Sequence, residues 1–477
     1  MEDKAMSRMN VSRRRFLQST VLATGAVAIS GCASLRTVSK FCKQGEMLKL
    51  GVIGAGGQGV RDWSEMVECG NVKIMAMSDV DSTMFDGAKK WFVDKGMKAD
   101  FNTYADYRKM LETEKSLDAV LVATPDHTHA RAAIQAMKRG CHVYVEKPLV
   151  RTIWEARYFK KVAAECGVVT QMGNHGSALD GLRRGVEVLR SGVLGNVTEV
   201  HVWTNRPEIS PGNKWGWKQP IKRPEGSDPI PPEMSWDFWL GTAPERPFKK
   251  DAYHRIAWRA FYDFGTGAFG DMACHTMNLA FRGLELGKVV SGEAVEISER
   301  YDDTYPQYSK VRLTYAARGR KPQVDIYWYD GYRQPPAEIM PQVITTFSKV
   351  PTTGCFIMGD KGVMVNTDDY GESSYVALKG EPRMKGISKH EACVGVPVTL
   401  PRAKEHNQRR EFVDACFGLV KNTSGTDHSV PLVESMLVGC IAQRVQGKIN
   451  WDDDKCLSDN AKANALIKPY IRAGWEY

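Results

Sequence analysis

The sequence predicts two folded domains in tandem: an α/β half on a doubly wound parallel sheet, then an α+β half with a large, mostly antiparallel open sheet. Three observations carry this expectation. Short apolar runs alternate with helical stretches over residues 48–173, the pattern of βαβ units. A glycine-rich turn separates the first run from the first helical stretch. From residue 197 onward, strand-like runs follow one another without helices between them.

LKLGVI (48–53) is an apolar strand, and a helical stretch runs from the glycines to about Cys69. VKIMAMS (72–78) is the next strand and ends at Asp79. YADYRKMLET (104–113) is helical, DAVLVAT (118–124) is a buried strand, and HARAAIQAMKRG (129–140) is a helix ended by Gly140. HVYVEK (142–147) and VVTQMG (168–173) are strands on either side of a helix from Ile153. Ligands of such sheets bind past the carboxyl ends of the strands. Those ends are marked by Asp79, by Thr124, Pro125, Asp126 and His127, by Glu146, Lys147 and Pro148, and by Asn174 and His175.

The second domain is read over 174–455, with strands at 197–203, 289–298, 310–317 and 322–329. Helices near 271–285, 404–420 and 431–446 flank them, the last two returning toward the first domain. Residues 205–235 are Pro-rich and read as a long irregular surface loop, and 456–477 as a tail.

Ahead of both domains, residues 1–31 have the form of an export leader, and 32–47 form a linker. Arg13, Arg14 and Arg15 precede Phe16 and Leu17, and residues 21–30 are a short apolar core. That core is shorter than the ~20 apolar residues a membrane-spanning helix needs. A charged start before such a core marks a signal peptide. The order from Ser12 to Leu17 resembles a twin-arginine signal and departs from the usual pattern only at Gln18. Ile29, Ser30, Gly31 and Cys32 resemble a lipobox, with Cys32 as the lipidated first residue of the mature chain. The expected location is periplasmic, with a lipid anchor in the membrane.

Hydrophobic residues make up 43% of the chain, enough to fill two cores. Of a net charge of +9, three charges lie in the leader and the rest are dispersed, which argues against a nucleic-acid surface. Ten cysteines follow Cys32, none in CxxC spacing. Mostly buried thiols are expected, as in a chain that folds before export.

Gly54, Gly56 and Gly59 have G-x-G-x-x-G spacing between a strand and a helix, the context of dinucleotide binding. Gly54, Gly56, Gly57, Gln58 and Gly59 would bring backbone N–H groups against a pyrophosphate at the helix N-terminus. Asp79 lies twenty residues beyond Gly59, where a Rossmann unit places the acid that holds the ribose hydroxyls. An acid there repels a 2′-phosphate, so NAD is expected rather than NADP. The competing reading is a tight turn with no ligand. A second match, Gly265 to Gly270, lacks the preceding strand and the spaced acid, and reads as a flexible loop before a helix.

Five motifs in order resemble the Gfo/Idh/MocA family (glucose-fructose oxidoreductase, inositol dehydrogenase and relatives). They are the glycine-rich turn, the stretch Ala123 to His129, Glu146-Lys147-Pro148, Trp236 to Gly241, and Gly270-Asp271 with His275. The resemblance spans about 48–455 and implies the same fold. Thr124, Pro125, His127, His129 and Glu146 are candidates for cofactor contact. The resemblance implies that Lys147 lies by the nicotinamide and binds or helps deprotonate the reacting hydroxyl. A half-desolvated lysine there is expected to have a lowered pKa; the competing role is a salt bridge to Glu146. Asp271 and His275 are four apart and share one helix face. The resemblance implies that they complete the site, with His275 beside the acid and taking the hydroxyl proton. The competing reading is a surface pair.

Asn174 and His175 are candidates to face the substrate. A divalent ion held by Asp271, His275, His175 and His254 is the weaker reading, because no close ligand spacing supports it, and no metal is expected. Trp203, Trp215, Trp217, Trp236, Trp239 and Trp258 fall within 56 residues. Flat rings suit sugar faces, and Trp203 is a candidate substrate contact; core packing is the competing reading.

Three functions fit. The first is an NAD-dependent oxidoreductase acting on CH–OH groups of a sugar or polyol, with a tightly bound nicotinamide and a second substrate to reset it. The second is a redox-neutral, NAD-dependent glycosidase working by oxidation, elimination, hydration and reduction. Exported relatives of that kind often replace the lysine that stands here as Lys147. The third is a non-catalytic sugar-binding lipoprotein. The intact set of Gly54, Gly56, Gly59, Asp79, Lys147 and His275 argues against the third, and retention of Lys147 tempers the second. The family's open sheet implies a homodimer or homotetramer.

Overall fold

The computed structural model describes residues 41–207 and 216–477. The leader with Cys32, and Trp215, lie outside the described residues. Six strands build the first sheet: β1 (Leu48–Ile53), β2 (Val72–Ser78), β3 (Asn102–Tyr104), β4 (Ala119–Val122), β5 (His142–Glu146) and β6 (Thr170–Gly173). They run parallel in the order β3-β2-β1-β4-β5-β6. Every residue of β4, β5 and β6 is buried, as parallel strands covered on both faces require. The order turns back between β1 and β4, which opens a crevice at their carboxyl ends.

Local chemistry sets the helix limits. The helix Ile153–Cys166 starts with a capping box. Thr152 Oγ1 accepts the Glu155 N–H at 3.4 Å, and Glu155 Oε2 accepts the Thr152 N–H at 2.9 Å. Gly167, left-handed at φ 64°, ends it.

The second sheet has ten strands: β7 (Val197–Trp203), β8 (Val289–Ile297), β9 (Ser309–Tyr315), β10 (Val324–Tyr329), β11 (Gly354–Gly359), β12 (Gly362–Asn366), β13 (Ser374–Leu378), β14 (Lys385–Gly386), β15 (Lys448–Asp452) and β16 (Leu457–Ser458). Their order is β14-β13-β12-β11-β7-β10-β9-β8-β15-β16. Neighbours are antiparallel except β7 and β10, which run parallel. The chain leaves β7 for the helix Gly267–Thr276 before it re-enters the sheet, and such a crossover permits a parallel pair. That helix starts inside the second glycine-rich match and is buried throughout, so the stretch is not a loose loop.

The C-terminal third returns to the first domain. In the helix Gln408–Cys416 and just beyond it, Phe412, Val413, Cys416 and Phe417 pack with Leu48, Leu50, Trp63, Met66 and Tyr144. Arg409 Nη2 reaches Asp62 Oδ1 of the helix Gln58–Glu68 at 2.6 Å. Residues 456–477 are strapped down rather than a free tail. Arg472 Nε donates to the Gly241 carbonyl at 3.0 Å, and the Arg108 guanidinium lies 3.9 Å from the Trp475 ring. All ten cysteines among the described residues are free, six of them buried.

Candidate active site

A cavity of about 880 Å³ lies across the carboxyl ends of the first sheet. Gly54, Gly56, Gly57 and Gln58 line one end of it. Gly54 has φ +92°, and a Cβ there would lie 2.4 Å from the Ala123 carbonyl oxygen. A Cβ at Gly59 would lie 2.0 Å from the Gly54 carbonyl oxygen, so Gly59 lets the turn close without itself lining the cavity. The helix Gln58–Glu68 begins without a side-chain cap, and its first amides suit a pyrophosphate.

Asp79 sits at the end of β2. Its Oδ2 accepts the N–H groups of Ala55 (2.8 Å) and Gly56 (3.2 Å), and its Oδ1 accepts that of Asp81 (3.0 Å). Burial raises its pKa, and these bonds oppose the rise. Thr124 and Pro125 line the same space from the end of β4. The second domain closes over it: Ser235 N–H donates to the Val80 carbonyl at 2.8 Å, and Ser82 N–H to that of Glu233 at 3.0 Å. A turn with no room for a Cβ at Gly54, Gly56 or Gly59, an uncapped start to the helix Gln58–Glu68 and an acid at the end of β2 fit a dinucleotide. Asp79→Ala is expected to weaken NAD binding and relax discrimination against NADP. Fluorescence titration of both nucleotides checks this, and an unchanged ratio of affinities would assign ribose reading to another residue.

At the other end, Lys147 Nζ donates to Asp271 Oδ1 at 2.6 Å, and Arg259 Nε donates to the same oxygen at 3.1 Å. The expected lowering of the Lys147 pKa is reversed. Desolvation pulls it down, but the charge and hydrogen bond of Asp271 outweigh that loss and lift it above the ordinary lysine value. Burial would raise Asp271, yet Lys147 and Arg259 hold it well below the usual carboxylate range. Burial, aided by the charge on Lys147, pushes His275 down to about 3, so the ring is neutral.

Asp271 does not orient His275, because its carboxylate is turned to the two cations. Asn174 does so: its Oδ1 lies 3.2 Å from His275 Nδ1, and its Nδ2 donates to the Cys274 carbonyl at 2.7 Å. Asn174 therefore stands behind the site rather than facing a substrate. His175 is half-buried beside it, 3.3 Å from Arg409 Nη1, and does not line the cavity. Burial, then Arg409, lowers His175 to about 4.

Glu146 lines the cavity and accepts the Lys147 N–H on Oε2 at 3.2 Å; burial and Asp62 raise its pKa strongly. His127 and His129 are corrected from cofactor contacts to buried braces. His127 Nε2 lies 3.0 Å from the Trp239 carbonyl, and His129 Nε2 2.7 Å from that of Thr124. Burial lowers them to about 3 and about 4. Trp203 is also corrected. It is fully buried, donates its indole N–H to Pro351 O at 2.7 Å, and faces Tyr329, Val343 and Phe356 rather than the cavity. Trp236 and Trp239 stack at 4.7 Å within a separate core, from which Trp239 and Trp258 also reach the cavity wall. The sequence reading missed Arg206, Arg259, Asp369 and Tyr370, which complete the wall around Lys147 and His275. The pair Trp258-Arg259, just ahead of the second glycine-rich match, was the available signal.

Fold and cavity together define a dinucleotide-binding protein of the Rossmann class. Residues 48–174 match the model described as oxidoreductase family, NAD-binding Rossmann fold, and residues 183–321 match the oxidoreductase family C-terminal alpha/beta domain. The chain belongs to the Gfo/Idh/MocA family, and its cofactor is NAD. Among curated relatives, 2,7-anhydro-N-acetylneuraminate hydratase of Escherichia coli is 28% identical over 113 residues, 23% of this chain and 29% of that protein. A glycosyl hydrolase family 109 protein of Shewanella amazonensis is 28% identical over 159 residues, 30% of this chain and 35% of that protein. The chain thus spans about a third of the length of the curated relatives it matches. The WlbA dehydrogenase of Bordetella pertussis, solved with NADH and UDP-GlcNAcA, superposes with a TM-score of 0.58 at 14% identity, over 85% of this chain and 99% of that one. An inositol dehydrogenase homolog of Azotobacter vinelandii, solved with NADH and myo-inositol, gives 0.56 at 14% identity, over 86% and 99%. Both show the fold.

Proposed function

We propose that this protein is an NAD-dependent oxidoreductase that moves a hydride between the hydroxyl-bearing carbon of a sugar or polyol and a tightly held nicotinamide. One observation carries the reading: a single cavity has the glycine cradle at one end and Lys147, Asp271 and His275 at the other. Bound NAD supplies the hydride acceptor or donor. Lys147, kept cationic by Asp271, holds the substrate oxygen and stabilises negative charge as it develops there. The Asn174 amide is fixed by the Cys274 carbonyl, so its Oδ1 faces His275 Nδ1. His275 then carries its proton on Nδ1 and offers Nε2 as the acceptor. The charge on Lys147 that depresses His275 also depresses a hydroxyl bound to it, so donor and acceptor shift together. His275→Ala is expected to lower turnover by ~10²-fold or more; wild-type turnover in steady-state assays would remove it from the mechanism.

The match to the Shewanella protein supports a second reading, redox-neutral glycoside cleavage in the same cavity. The proposed location is periplasmic, reached in folded form by the twin-arginine route and held by a lipid on Cys32, and the proposed assembly is a homo-oligomer. The order of arginines, apolar core and Cys32 supports the location. The test is cofactor content. Protein made with its own leader, washed from the membrane fraction and denatured, is expected to release near one equivalent of NAD(H) per chain. A nearly empty site would overturn the held-cofactor reading.

A further inference from the structure

We propose that Arg259 anchors a carboxylate on the substrate, so that the protein acts on a sugar acid whose carboxylate lies two or three bonds from the reacting carbon. The proposal rests on the reading of Lys147 as the group that holds the reacting hydroxyl.

Asp271 Oδ1 receives two cations, Lys147 Nζ at 2.6 Å and Arg259 Nε at 3.1 Å. One carboxylate thus faces two positive charges, and the neighbouring His275 is neutral. Across the cavity, Arg206 and Asp369 add one charge of each sign. Asp126, on which Arg259 acts, is pushed up to about 7 by burial and offsets only part of the excess, and Glu146 in the same wall is raised strongly by burial and Asp62. An oxidised nicotinamide adds a further positive charge. A largely buried site with surplus positive charge favours an anionic ligand.

Arg259 is built to take that anion. Its Nε is tied to Asp271, and its guanidinium carbon lies 4.2 Å from the Trp258 ring, which fixes the plane. Its side chain is 16% exposed and lines the cavity. Among the described residues, Nε is the only guanidinium nitrogen of Arg259 with a hydrogen-bond partner. The terminal N–H pair is left to the cavity as a planar fork, the shape that grips a carboxylate through two parallel bonds. Because Lys147 and Arg259 share one oxygen, they stand a few ångströms apart. A carboxylate on one and a hydroxyl on the other must then belong to nearby carbons. That is the relation of the carboxylate to the C4 hydroxyl in a hexuronic acid.

The test uses the full chain loaded with NAD. Affinities for glucuronate and galacturonate are compared with those for glucose and galactose by calorimetry, and reduction of the bound nicotinamide is followed by absorbance. The uronates are expected to bind about 10- to 100-fold tighter than the matching hexoses. Arg259→Gln is expected to erase that difference, and Arg259→Lys to restore only part of it. The ratio of acid to neutral sugar is the readout, because any disturbance of Asp271 falls on both alike. Equal affinities in the wild type, a preference that survives Arg259→Gln, or binding of neither class would overturn the anchor. If neutral sugars reduce the nicotinamide as readily, the oxidoreductase reading stands and the anchor falls. If uronates bind through Arg259 and no nicotinamide is reduced, the anchor stands and the oxidoreductase reading falls.

Discussion

Lys147→Ala is expected to lower turnover by about 10²- to 10⁴-fold while the protein keeps its NAD. The side chain reaches only the Asp271 end of the cavity, so the glycine cradle and Asp79 are untouched by its loss. Asp271 keeps Arg259 as its partner and stays ionised. The variant therefore loses the cation on the substrate oxygen without leaving a buried acid unpaired. A second readout separates this from general damage. The charge on Lys147 helps depress His275, so the His275 pKa, followed by NMR, is expected to rise in the variant. Unchanged turnover, with His275 shifted, would make Lys147 an electrostatic neighbour and not a catalytic residue.

Arg409→Ala is expected to cost about 3–5 kcal/mol of stability, the usual penalty for removing one partner of a buried ion pair. Arg409 and Asp62 have side chains 1% and 0% exposed, with contacts of 2.6 and 2.9 Å. Without Arg409, Asp62 keeps the Gln58 amide at 3.2 Å but has no cation to balance its charge in the core. Burial already raises the Asp62 pKa, with Arg409 opposing it, so in the variant it rises further. A folded pKa above the unfolded one means that the cost is present at high pH and fades as the pH falls and Asp62 takes up a proton. Urea denaturation is therefore expected to show a smaller loss near pH 5 than near pH 8. A loss under about 1 kcal/mol at both, as for an exposed pair, would show that the contact does not hold the domains together.

Much of this architecture was readable from residue pattern. β4 and the middle of β5 are continuous apolar runs because both faces are covered, and the glycines after β1 mark a turn where a Cβ cannot fit. β11 to β14 went unread because they are short and separated by Gly and Asp, and only β11 pairs with β7, the others adding outward from it in turn. Lys147, Asp271 and His275 were legible as motif positions, but their wiring was not. Helix spacing puts Asp271 and His275 on one face, yet Asp271 turns to Lys147, 124 residues away, and His275 to Asn174, 101 residues away. Trp203 shows the ambiguity of aromatics: the ring that suits a sugar face also fills a core, and β7 presents it to Phe356. The rise of the Lys147 pKa was hidden for the same reason, since only the folded chain sets an ionised acid 2.6 Å from it.

The return of the helix Gln408–Cys416 to the first domain has a consequence for how the molecule is made. Asp62 is translated 347 residues before its partner Arg409. Until that helix emerges from the ribosome, Leu48, Leu50 and Trp63 lack the cover that Phe412 and Phe417 provide. The nucleotide-binding half is thus not a module that can be finished first and extended afterwards. Cofactor loading becomes a late event of biogenesis, and the first half expressed alone would expose apolar surface of the kind that drives nascent chains to aggregate.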